Sequence, residues 1–254
     1  MSNPTTMASK GRPPKDPALV LRDQYWALFL RAHSPGESYA SLERTLLPHL
    51  RITQRGDGQG SSQPFSLSKV AMGHRGLSPH LGPPPLIVNR AEDLVAGAKG
   101  AFTSVLWSTL AQPWPLEGVK DQYAEVAPEV RSRLTDRHFS VMPKTRFGLR
   151  LLNSNGIRRV SRLRHRDALG LLLCYSPAVV GFSKQSLTAS SYVFYALKRG
   201  CQSDPALMAI KDTLIKLINE RFKIYNQTEC GRETRLFVAP RHSLLTVGIR
   251  ALIG

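Results

Sequence analysis

Five arginines and a histidine crowd nine positions, Arg158-Arg159-x-x-Arg162-x-Arg164-His165-Arg166, the densest run of chemically committed side chains in the sequence. If the run is helical, Arg158, Arg162 and Arg166 recur at i, i+4 and i+8 and line one face, with Ile157, Val160 and Leu163 along another. Guanidinium groups in such a row match successive phosphates, because each joins a fixed charge to forked N–H donors. The expected nucleic-acid-binding residues are therefore Arg158, Arg159, Arg162, Arg164 and Arg166. Base contacts by the same side chains stay open, as do a solvated basic face and a dock for an acidic protein partner.

A second basic motif is Lys10-Gly11-Arg12-Pro13-Pro14-Lys15. It is similar to the core of an AT-hook, in which an extended Gly-Arg-Pro lays its arginine into a narrow, strongly negative minor groove. The resemblance implies Arg12 as a groove contact, although no Pro-Arg precedes this glycine. A third candidate is the stretch 26–81, where two helical patterns precede Lys69 and Gly73-His74-Arg75-Gly76-Leu77-Ser78-Pro79. It resembles a degenerate helix-turn-helix of the bacterial repressor type, which implies DNA contacts from Lys69 and Arg75. The family keeps its two helices close, whereas here the polar run 51–64 separates Leu42-Glu43 from the recognition segment. The wider set Trp26, Leu42-Glu43, Pro48, Asp57-Gly58, Lys69, Gly73, Arg75 and Leu106-Trp107 also resembles uncharacterised bacterial proteins, which implies no activity.

Catalytic patterns are scarce. There is no Gly-x-Ser-x-Gly elbow, no Gly-x-x-x-x-Gly-Lys-Ser/Thr loop, no His-Glu-x-x-His and no Gly-x-Gly-x-x-Gly after a strand. Expected catalytic, cofactor and metal sites are accordingly none, and an enzyme is the lesser expectation, with a nucleic-acid enzyme built from residues distant in sequence as an alternative. Cys174, Cys201 and Cys230 are odd in number and widely spaced, which suits neither a disulfide framework nor a metal knuckle. A reducing, cytoplasmic setting is expected. The longest apolar stretch, 168–182, is too short to span a bilayer, so no transmembrane segment is expected.

The elements that must position these residues read as mainly α. Apolar spacing predicts helices from Ala18 to Ala32 behind Asp16-Pro17, from Ser38 to Leu46, and a brief one within Phe65–Met72. Others are predicted from Leu86 to Ala98, from Phe102 to Leu110 and from Val119 to Leu134. In the last part, helices are predicted over Ile157–Leu173, carrying the arginines, over Leu187–Lys198, and from Asp204 to Tyr225, with the core stripe Leu207, Ile210, Leu214, Leu217, Ile218 and Phe222. Minor β structure is expected near His138–Leu152 and Leu236–Ile253.

Charge divides the chain. Residues 1–127 carry 13 basic and 10 acidic groups, net +3, whereas residues 128–254 carry 22 and 8, net +14, out of +17 for all 254 residues. Residues 131–166 alone hold 11 basic groups and the single acid Asp136. The expected organisation is a disordered basic arm over 1–17, a helical module over 18–112, a connecting region over 113–156 and a basic, mainly helical domain over 157–254. A chain so charged favours an anionic partner. The expected function is non-enzymatic nucleic-acid binding, with DNA favoured over RNA and transcription regulation as one use. An RNA-binding protein, with Tyr192, Phe194 and Tyr195 stacking on bases, is an alternative, and a basic protein-interaction module is another.

Overall fold

Asp16 starts the first helix: its carboxylate accepts the Ala18 N–H at 2.7 Å, and Pro17 takes the first helical position, where a missing N–H costs nothing. Helix α1 (Pro17–His33) follows as the sequence predicts. The structure, a computed structural model, describes residues 15–47, 65–77, 83–111, 126–140 and 152–224. These are mainly α-helical. An isolated antiparallel bridge pairs Phe139 with Leu152, inside the stretch expected to be extended. The expected limit at Pro113, the Leu236–Ile253 strand and residues 1–14 of the basic arm lie outside the described residues. Residues 15–17 do not belong to an arm, because Lys15 donates to Asp23, Asp16 caps α1 and Pro17 opens it.

Ser38 caps α2 (Tyr39–Leu46) by accepting the Ser41 N–H, and Ser66 caps α3 (Leu67–Ala71). The Glu43 carboxylate of α2 also accepts the Leu67 N–H, so α2 is fastened to the start of α3. The helix predicted over Leu86–Ala98 is in fact two, α4 (Leu86–Leu94) and α5 (Ala98–Phe102). Gly97 separates them in the left-handed region, at φ +87°, and Glu92 accepts the N–H groups of Gly97 and Lys99. Helix α6 (Val105–Ala111) comes next.

Helix α1 is the hub. It packs on α3, α5 and α6 and also on two helices from the far end of the chain, α12 (Pro205–Ala209) and α13 (Lys211–Phe222). Its buried face includes Leu21, Tyr25, Trp26, Phe29 and Leu30. Both buried indoles anchor α5: Trp26 donates to the Ala98 carbonyl at 3.1 Å and Trp107 to the Ala101 carbonyl at 2.9 Å. Two charges enter this core as a pair. Asp23 accepts from Arg22, from Lys15 at 2.6 Å and from the Leu77 N–H at 2.6 Å, while the Arg22 guanidinium covers the Phe102 ring at 4.0 Å. Such partnering offsets the cost of removing both ions from water.

The rest of the described chain comprises α7 (Pro128–Arg131), a 3-10 turn (Asp136–His138), α8 (Ser154–Ser161), α9 (Arg166–Cys174), α10 (Pro177–Val180) and α11 (Lys184–Cys201). Helix α9 lies between α6 and α11. At Gly170 it meets α6 backbone to backbone, where an added Cβ would stand 2.6 Å from the Leu106 nitrogen. The stripe Leu207, Ile210, Leu214, Leu217, Ile218 and Phe222 is buried as expected, but the helix bearing it is not continuous. It breaks at Ile210, which closes α12 and opens α13, because α12 packs on α1 and α11 whereas α13 turns toward α1 and α6.

Candidate nucleic-acid interface

The arginine run also departs from one continuous helix. Helix α8 ends at Ser161, Arg162 is its C-cap, and the chain tightens there, with Leu163 bonding back to the Val160 carbonyl. His165 is extended and becomes the N-cap of α9, its Nδ1 accepting the Asp167 N–H at 3.1 Å. The expected i, i+4, i+8 row therefore does not form. Asp167 explains the break: its carboxylate is drawn inward to accept from the Ser104 hydroxyl and from the Ala127 N–H at 2.7 Å, which sets the axis of α9 independently of α8.

The row is replaced by a surface. Arg158, Arg159, Arg162 and Arg164 are all exposed, while Ile157, Val160 and Ser161 are buried on the opposite side of α8. Among the described residues none of these four arginines pairs with a carboxylate. Arg158 and Arg159 lie in the last turn of α8, where the helix dipole favours cations, so holding them there also supports the helix.

Arg166 points elsewhere. Its guanidinium donates to the Tyr25 hydroxyl at 3.3 Å and lies 5.9 Å from the Tyr25 ring and 5.5 Å from the Phe29 ring, both on α1. The Tyr25 hydroxyl in turn donates a hydrogen bond to the Asp204 carboxylate, at 2.6 Å, and the same carboxylate caps α12 by accepting the Leu207 N–H. Burial raises the Tyr25 hydroxyl far above its ordinary pKa, so it stays a donor. Arg166, expected among the phosphate contacts, is half-buried and links α9 to α1 through aromatic partners about 140 residues away in the chain.

The other expected contacts divide. Arg12 lies outside the described residues. Lys69 is exposed on α3, and Arg75, just after it, is half-buried with its guanidinium 5.8 Å from the Phe65 ring. Helix α3 packs on α1 and α2, whereas α8 packs on α9, α11 and the 3-10 turn, so the structure does not draw these two residues into the α8 surface.

It does bring others to that surface. Asn153 caps α8 through the Gly156 N–H at 3.0 Å, and its amide donates to the carbonyls of Arg137 at 2.7 Å and Phe139 at 3.1 Å. The 3-10 turn is thereby stitched to the start of α8, with exposed Arg137 beside it. A side chain at Gly156 would collide with the His138 carbonyl, so glycine is what permits this approach. At the other end the Ser203 hydroxyl donates to the Arg164 carbonyl at 3.0 Å, bringing the close of α11 against the arginine segment. Compared with protein-family models, curated proteins and solved structures, the chain gives no match.

The surface is electrostatically one-sided for a reason legible in the residues. No Asp or Glu occurs from 137 to 166, and none occurs in the 18 residues of α11. The signal for Arg137 was the excess of base over acid in 131–166; the signal for α11 was the missing acid. Burial lowers the His165 imidazole below its usual range, the opposing pull of Asp167 being smaller, so it serves as a neutral acceptor between Arg164 and Arg166. Among the described residues no group of three or more His, Cys, Asp or Glu gathers as a metal ion would need, and no helix is long and apolar enough to cross a membrane. Cys174 and Cys201 are buried thiols that form no disulfide among the described residues, and burial pushes the Cys201 thiol up to about 11.

Proposed function

We propose that this chain is a nucleic-acid-binding protein, with DNA the favoured polymer, and that it works by holding phosphates rather than by catalysis. One observation carries the reading: four exposed arginines within seven residues, Arg158, Arg159, Arg162 and Arg164, none paired with a carboxylate among the described residues. Water-facing guanidinium groups with no carboxylate partner among the described residues can turn their donors to an external anion, and displacement of counterions from a polyanion drives the association. Arg137, stitched to the same helix by Asn153, widens the contact.

The test is fluorescence anisotropy on a DNA duplex over a salt series, comparing the parent with a triple variant, Arg158→Gln, Arg162→Gln and Arg164→Gln. Glutamine retains length and helix propensity while deleting charge. The log–log salt slope should fall by roughly 2 to 3, at about 0.9 per lost phosphate contact. An unchanged slope and affinity in a variant with the parent's circular dichroism would make this surface a solvated or protein-docking face.

A further inference from the structure

Helix α11 shows solvent a stripe whose chemistry differs from that of α8. Lys184, Leu187, Ser191, Tyr195 and Lys198 recur at three- and four-residue intervals and are all exposed, so they share one side of the helix over about 21 Å. Leu187 is 45% exposed and Tyr195 44%, and Phe182, two residues before the helix, is 61% exposed. The Tyr195 ring is braced by Tyr192, edge to face at a centroid distance of 6.3 Å. The hydroxyl of Ser191 donates to the helix's own Thr188 carbonyl, at 2.7 Å, so an incoming molecule meets the Tyr195 ring and the Leu187 side chain between the two lysines, with Phe182 just before the helix.

We propose that this stripe seats an unpaired nucleic-acid strand, a base stacking on Tyr195 while Lys184 and Lys198 neutralise phosphates on either side; the proposal rests on the reading of α8 as a phosphate-binding surface. Charge complementarity selects the occupant. Helix α11 holds only basic charges and packs directly on α8, so two adjoining elements present cations and no acid. A second copy of this chain laid antiparallel on the stripe would set Lys184 against Lys198, like charge against like. A duplex offers phosphates but keeps its bases stacked inside, whereas a single strand offers both phosphates and π-faces, which is what an aromatic side chain flanked by lysines recognises.

The experiment uses the full chain and four probes: a 20-nucleotide oligothymidine, the matching oligouridine, a duplex of equal length, and phosphatidylcholine–phosphatidylserine vesicles. Tyr195→Ala should weaken oligothymidine binding by about 5- to 150-fold, the range of one lost stacking contact, and leave duplex binding within about 2-fold. Tyr195→Phe should retain the parent's affinity, since the π-face remains. Tyr195→Leu, which keeps an apolar side chain of substantial size, should lose it, and this variant stands in if the alanine variant does not fold. Equal effects on single strand and duplex, no effect on either strand, or a loss of vesicle binding alone would overturn the proposal. Comparison of the two oligomers shows whether DNA or RNA is the strand held. A parent that binds no nucleic acid ends the α8 reading itself, whereas a parent that binds well and ignores Tyr195 ends only this one.

Discussion

The Tyr25 hydroxyl donates to the Asp204 carboxylate at 2.6 Å across 179 residues of sequence, tying the central helix α1 to the cap of α12. Arg166 donates to the same hydroxyl from α9. One phenol therefore serves three helices. Removing it in Tyr25→Phe leaves a carboxylate and a guanidinium without their shared partner and should cost about 1 to 3 kcal/mol. Urea denaturation monitored by circular dichroism measures it, and a variant as stable as the parent would show the link to be incidental.

Gly170→Ala should destabilise by about 1 to 3 kcal/mol, the usual cost of forcing atoms into a filled interior. The new methyl would meet the Leu106 backbone, which cannot rotate aside as a side chain can. The thermal midpoint should fall accordingly, and an unchanged midpoint would mean that α6 and α9 slide apart freely.

Leu214 is fully buried on α13, and Leu214→Ala should cost about 2 to 5 kcal/mol, the transfer loss plus that of the cavity left behind. Chemical denaturation gives the value. A loss below about 1 kcal/mol would show that the core collapses around the site.

Acid should loosen the arginine segment through His165. Its imidazole is neutral in the folded protein because burial lowers its pKa, so the unfolded chain takes up the proton first on acidification. This contribution to stability is complete above about pH 6.5, the ordinary value, and is lost as pH falls through the lowered, folded one. His165→Asn retains an N-cap acceptor without titrating. Urea midpoints from pH 8 to pH 5 should fall more for the parent than for the variant, and parallel profiles would sink the idea.

Local signals carried much of the fold. Asp16-Pro17, Ser38 and Asp204-Pro205 are caps that each residue makes with its own neighbours, so composition and spacing reveal α1, α2 and the start of α12. The breaks at Arg162–His165 and at Ile210 contain neither proline nor glycine. They arise from distant partners: Ser104 and Ala127 claim the Asp167 carboxylate, and α12 and α13 answer to different neighbours. The same limit governs the site. That residues 137–166 lack acid is written in the sequence, but that Arg166 turns inward depends on Tyr25 and Phe29, and that Arg137 joins α8 depends on the two hydrogen bonds of Asn153.

The packing of α1 on α12 also sets a clock. Tyr25 is synthesised 179 residues before Asp204, so at about 5 to 20 residues per second, between about 9 and 36 s separate the two on the ribosome. During that interval α1 can settle against α3, α5 and α6 as each emerges, while the side destined for α12 and α13 waits uncovered. The nascent chain thus carries an apolar strip whose partner does not yet exist, a target for chaperones until translation passes residue 222.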